Sequence, residues 1–384
     1  MSGSTAPNAG RVLNAPSMSY ARARLWLGIA SVGAWVVIAS LLLAIGLPSA
    51  WIEAASEGSW GAQVSVLMQA LMAYIVLALP FDLIGGWWLP ARHGRRSDSL
   101  GAYLLRWGRG VFVQATVMLL AALALLAGGK AAGLLGALVV LFASSLTLLA
   151  LQPTIAAAVA RVSRTSVGRR IYWDTEERGF AGGWVGVPGF EREVQSKHWR
   201  EMLSDDELHA QQVRRDGIVA TGSRKRGVWL AIGFNLLGFG LVSGLPGAGV
   251  ENAAQLLVTA LGFTLWSFLG LLVLPTPSRA GVYEADAYAL AQGIDSEVLI
   301  SGTRKLDRLQ EDESERPDGV EMIFHPVPAV SNRVMRARGN LPARGAHHAT
   351  RHALYLSWAC LGFLARAVHC NAGRPEVWAI LPAD

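Results

Sequence analysis

Charge is what this sequence has least of. Only 16% of its 384 residues are charged, against about 25% in an ordinary soluble chain. That deficit, with 52% hydrophobic residues and a mean hydropathy of +0.35, argues against a water-soluble globular protein. Cysteine is nearly missing too. Cys360 and Cys370 are the two present, too few for a disulfide framework and without the paired CxxC spacing of a zinc site; the expectation is reduced thiols in a reducing compartment. The polar stretch before the first apolar run shows none of the cleavage-site signs of a secretory signal, so none is expected, and no internal repeat is visible. The formal net charge is +6, but the arginines sit beside apolar segments, so it reads as membrane orientation and not as affinity for nucleic acid.

What the chain has instead is apolar runs. A spanning helix needs about 20 mostly apolar residues, and six segments offer them: 25–47, 64–88, 110–128, 133–152, 228–245 and 254–275. The division expected is a disordered tail over 1–24, four spans over 25–152, a cytoplasmic segment over 153–227, two spans over 228–275 and a second cytoplasmic segment over 276–384. Arg22 and Arg24 precede the first span, and Arg92, Arg95 and Arg96 follow the second. Arg161, Arg164, Arg169 and Arg170 follow the fourth, whereas the intervening loops carry Glu53, Glu57, Lys130 and Glu251. Positive charge on alternate loops predicts both termini in the cytoplasm, and the Ala/Gly/Arg-rich composition suits a bacterial inner membrane. The stretch 353–365, closed by Arg366, is too short to span and reads as a buried or interfacial helix of the cytoplasmic domain. Residues 305–319 read as a charge-rich surface loop.

The region before the fifth span carries local signals. GWVGV, a Pro-Gly turn and EREVQS predict two short strands. Ser204 with Glu207 three residues on has capping-box spacing, which predicts a helix over 205–220. This order of strand pair, LSxxEL helix opening, two spans and then SRAGVYEAD at 278–286 resembles the integral-membrane zinc metallopeptidases of the HtpX and CAAX-prenyl-protease type. The resemblance covers roughly 170–336 and implies a membrane α-helical fold, six transmembrane helices plus a small α+β cytoplasmic metallopeptidase-like domain. It also implies HExxH on the first helix and ExxxD on the later one. Laid on that pattern, Gly217, Asp286, His325, Pro326 and Arg333 match. Arg214 and Ile218 stand where the two histidine ligands belong, Arg215 where the general-base glutamate belongs, and Val282 where the ligand glutamate belongs.

Aliphatic side chains have no lone pair to give, and a guanidinium stays protonated and offers none. Catalytic zinc needs three N, O or S donors and an open fourth position. The motif is therefore expected to hold no zinc and no other cofactor. Four charged positions, Arg214, Arg215, Glu284 and Asp286, suggest a salt-bridge or anion-binding network in its place, with a plain solvent-facing Arg215 as the simpler alternative. His348 and His352 have i, i+4 spacing and are the weak candidates for a relocated metal. His198 and His209 read as structural or exposed. Asp82, inside the second span, is a functional candidate by default; pairing with Arg92 or Arg95 would satisfy it, and Trp87 and Trp88 read as interfacial anchors.

The functional expectation is a catalytically inactive metallopeptidase homologue, a pseudoprotease with a binding, adaptor or quality-control role. Its partners would be the lipid bilayer and an extended peptide, held along the strand near 183–194, or another membrane protein. Two alternatives stay open: an active zinc endopeptidase with a non-standard site, and a transporter or assembly protein using Asp82, Gln114 and Gln152.

Overall fold

The computed structural model describes residues 18–379 apart from 57, 96–97, 161–162, 175–179, 311–314 and 340–343. Most of the expected N-terminal tail thus lies outside the described residues, but its end is helical. Helix α1 (Tyr20–Ile45) starts at once, its cap Ser19 accepting from Arg22 N at 3.2 Å. Helices α2 (Ser49–Ser56) and α3 (Trp60–Leu83) follow, and α3 runs through a π-helical turn, Ile84–Trp88, into α4 (Leu89–Arg92). The turn carries Gly85 and Gly86 because backbone lies against it: a Cβ at Gly86 would collide with the carbonyl of Gly373.

Helix α5 (Leu100–Ala160) is broken at Ala132 and Gly133, where Gly133 takes φ +57°. Its limbs double back so tightly that a Cβ on Gly136 would meet the Gly128 carbonyl. Beyond the sheet described below come α6 (Trp199–Met202), α7 (Asp205–Ala220), α8 (Ser223–Val242), α9 (Ala253–Val273) and α10 (Pro275–Ala291). Then follow α11 (Ser296–Gln310), α12 (Asp318–Phe324), α13 (Val330–Gly339) and α14 (Ala349–Leu356). The expected loop at 305–319 is therefore helical at its start.

Among the described residues, four helices are long and apolar enough to cross a membrane: Tyr20–Ile45, Trp60–Arg92, the broken Leu100–Ala160, and Ala253–Val273. Six spans were expected, and that count is not reproduced. The break in α5 supplies two limbs, but α8 falls outside the set because Arg224, Lys225 and Arg226 occupy its first turn.

Four strands form one sheet, ordered β1-β2-β4-β3. β1 (Ser163–Val167) and β2 (Arg170–Asp174) make a hairpin, β4 (Arg192–Ser196) pairs with β2 in parallel, and β3 (Gly182–Val185) pairs with β4 antiparallel. The expected strand pair corresponds to β3 and β4. The β1–β2 hairpin went unread, although Gly168 at its turn takes φ +57°.

The stretch 353–365 is not one helix of an outlying domain. α14 gives way to 3-10 turns at Ser357–Cys360 and Phe363–Ala365, with Leu361 between them at φ +58°. This tail enters the helical bundle. Phe363 stacks on Tyr74 at 5.1 Å and lies 5.4 Å from Trp35, both far along apolar helices. Asn235 Nδ2 donates to Ala353 O at 3.0 Å, Tyr355 Oη to Leu148 O at 2.9 Å, and Gln152 Nε2 to Ala379 O at 2.9 Å. Asp82 anchors it. That carboxylate accepts from Arg366, from Trp107 Nε1 at 2.9 Å and from Gly373 N at 2.9 Å, while Tyr103 Oη donates to the Asp82 carbonyl at 2.7 Å. The expected partners, Arg92 and Arg95, lie instead over the rings of Trp88 and Tyr20. Arg366 is nearer the carboxylate because the tail carries it inward, a placement no local spacing encodes.

Removing one member of a buried pair strands the other charge, at a cost of about 3–5 kcal/mol. Asp82→Ala and Arg366→Met are each expected to lower the melting temperature sharply in detergent, with the double variant melting above both. A double variant no better than the worse single would show that the two charges are not coupled.

Candidate functional site

Three helices meet here: α7 brings Arg214 and Arg215, α10 brings Val282, Glu284 and Asp286, and α13 brings Arg333. α7 begins with a full capping box, Glu207 N donating to Ser204 Oγ at 3.3 Å and Ser204 N to the Glu207 carboxylate at 2.8 Å. The same carboxylate accepts from Ser301 Oγ and Lys305 Nζ, each at 2.6 Å, which ties the start of α7 to α11. Burial alone would raise the Glu207 pKa; Lys305, Ser301 and the Ser204 amide overcome that and pull it down to about 2. Farther along, α7 closes on α10 because Gly217 has no side chain: a Cβ there would stand 2.5 Å from Cδ1 of Tyr288.

Arg214 is fully buried and donates from Nε to Asp286 Oδ1 at 2.5 Å. Arg333 approaches the same carboxylate from α13, Nε to Oδ2 at 2.9 Å and Nη2 to Oδ1 at 2.7 Å. Both oxygens of Asp286 are thus engaged by guanidinium groups. Burial would push the Asp286 carboxyl up, but Arg333 and then Arg214 hold it below the ordinary carboxylate range.

Arg215 belongs to a different cluster. It is 1% exposed, so the solvent-facing alternative is overturned, and it does not reach Asp286. Its Nη1 donates to Glu193 Oε1 at 3.2 Å and its Nη2 to Ala181 O at 2.9 Å, with the guanidinium 3.9 Å above the Trp199 ring. Arg170 Nε completes that cluster at 2.8 Å from Glu193 Oε2. Glu284 stands apart again, bound by Arg226 at 2.8 and 2.6 Å and by the Gly345 amide at 2.9 Å. One expected network is therefore three. Neighbouring helical residues point about 100° apart at 3.6 residues per turn, so Arg214 and Arg215 address opposite neighbours.

Ile218 and Val282 are buried apolar side chains that share helix faces with Arg214 and Asp286, each being four residues away. His325 is buried, its carbonyl accepting from Arg279 Nη1 at 3.0 Å and its ring 5.0 Å from that of His369. Pro326 lines a groove at the edge of the bundle. His348 caps α14 at φ +55°, one turn before buried His352. Burial, with Arg224 next, keeps the His352 imidazole well below its ordinary pKa and so neutral. His198 Nδ1 lies 3.3 Å from Glu201, and His209 is exposed. Asp82 and Gln114 meet at Arg366, whereas Gln152 serves Ala379 and Gly186.

Among the described residues, no three His, Cys, Asp or Glu side chains gather as a metal site requires. Zinc does not fit the residues present between α7 and α10. Of the four motif positions and Asp286, only Asp286 has a donor oxygen to offer, Arg214 and Arg215 present no lone pair, and Ile218 and Val282 have no donor atom, so one donor stands where three are needed.

The fold is that of a membrane α-helical bundle bearing a small sheet. No family model and no curated protein sequence matches the chain. Among solved structures it is similar to the crystal structure of S. mikatae Ste24p, with a TM-score of 0.64 and 12% sequence identity over 84% of this chain and 99% of that one. At that identity the likeness is one of fold.

Asp286→Ala is expected to destabilise the protein by about 3–5 kcal/mol, because it strands two buried guanidinium groups; an unchanged thermal midpoint would remove the clamp from the account. Glu207 gives a pH signature. Its folded pKa is depressed from 4.5 to about 2, so its stabilisation is complete above 4.5 and is lost as pH falls between those values. Glu207→Gln is expected to melt below the wild type near neutral pH and to converge with it at the acid end of that window. A gap that stays constant throughout would assign the effect elsewhere.

Proposed function

We propose that this chain is a pseudoprotease: a membrane-embedded protein with a metallopeptidase-like fold that binds and does not hydrolyse. The fold likeness to Ste24p supports the resemblance to the HtpX and CAAX-prenyl-protease type at the level of architecture. The single observation that carries the rest is Asp286, closed on both oxygens by Arg214 and Arg333 at the place where the family's pattern calls for metal chemistry. Without a metal to lower the pKa of water and polarise a carbonyl, the cleft has no activated nucleophile.

A binding role fits the sheet. β3 is an edge strand, and among the described residues no strand pairs with its outer side. Such an edge holds an extended peptide by main-chain hydrogen bonds. In this reading the sheet-bearing part and both termini face the cytoplasm of a bacterial inner membrane, as the alternation of basic loops suggests.

Metal analysis of the purified protein, paired with a cleavage assay on an unfolded membrane substrate with and without chelator, tests the reading. Zinc far below one atom per chain and no chelator-sensitive cleavage are expected. One tightly held zinc per chain, lost together with cleavage, would overturn it.

A further inference from the structure

A groove of ≈ 310 Å³ opens on the flank of the bundle between α1, the end of α9, α12 and the tail. Its long wall is the face of α1 from Leu25 to Gly33. The eight steps between them rise about 12 Å at 1.5 Å each, close to the half-thickness of about 15 Å of a bilayer's hydrocarbon core. The facing wall is Phe268, Leu271 and Leu272. Both walls belong to helices apolar and long enough to span. Polar groups collect at one end only, where Thr350, Arg351 and His369 line the mouth. Beside that end α12 exposes Met322, Ile323 and Phe324 at 57, 38 and 37%, as an element resting on a membrane surface does.

We propose that this groove is a binding site for one anionic phospholipid of the bilayer, an acyl chain lying along α1 and its phosphate at Arg351. The depth matches one leaflet, the walls match a hydrocarbon chain, and the single cationic end matches a headgroup. A peptide is the poorer occupant, since the side-chain walls provide nothing for its amide groups and an unsatisfied amide in hydrocarbon costs several kcal/mol. A partner's spanning helix would need a face of full membrane height, and the groove stops near Gly33.

Gly33 supplies a clean probe. A Cβ at this position meets nothing within 4 Å, so a side chain can start there without a clash on the groove's wall; Gly28 cannot serve, because its Cβ would stand 2.5 Å from His369 N. The experiment is native mass spectrometry of the full chain released from vesicles of mixed phosphatidylglycerol and phosphatidylcholine. One phosphatidylglycerol retained per wild-type chain is expected. Gly33→Leu, with an unchanged melting midpoint, should retain it about tenfold less, which corresponds to roughly 1.4 kcal/mol. Arg351→Gln should keep a lipid but lose the preference for the anionic headgroup, and it tests the site even if Gly33→Leu fails to fold. The proposal is overturned if the wild type carries no lipid or only detergent, or if both headgroups are retained equally. Equal retention by folded Gly33→Leu, or an acyl chain found covalently on Cys370 and released by hydroxylamine, overturns it as well.

Discussion

A carboxylate buried between two guanidinium groups governs the candidate site. Asp286 makes one contact to Arg214 and two to Arg333, which leaves the trio with an excess positive charge in a place with little water. Such clusters add little net stability, because desolvation consumes most of the attraction, yet they break expensively when one member is lost. Their effect is to fix geometry. The three side chains tie α7, α10 and α13 together, and Gly217 lets α7 lie close against Tyr288, where a Cβ would stand 2.5 Å from its ring. The same closure shapes the chemistry open to Asp286, since both of its oxygens already accept from guanidinium groups.

The bundle obeys a second constraint of the same kind. In hydrocarbon every polar group must find its partner within the protein. Asp82 meets it: its side chain takes Arg366, Trp107 and the Gly373 amide, and its carbonyl takes Tyr103. Glycines then permit the close backbone approaches, at Gly85 and Gly86 against the tail and at Gly133 where α5 reverses. The interior is filled by a polar inventory and a set of missing side chains working together.

Whatever depends on a few neighbouring residues was legible in the sequence. Ser204 and Glu207 mark the start of α7, and Pro188-Gly189 marks the turn between β3 and β4. Helical phase alone would have separated Arg214 from Arg215, but which neighbour each meets depends on packing. Asp286 lies 72 residues from Arg214 and 47 from Arg333, and Arg366 lies 284 from Asp82. No local pattern encodes such distances, so neighbouring residues in the sequence do not reveal these partners. The stretch 353–365 misled for a related reason: its apolar composition suits a helix, while Leu361 in the left-handed region and the pull of the bundle turn it into 3-10 segments.

The inserted tail also makes the bundle a closed loop of sequence. Arg366, Gly373 and Phe363 come after all the long apolar helices, yet they meet Asp82, Trp35 and Tyr74 near the chain's start. The centre of the membrane part is thus built from residues nearly three hundred positions apart, and a lesion in the tail is felt among the first helices.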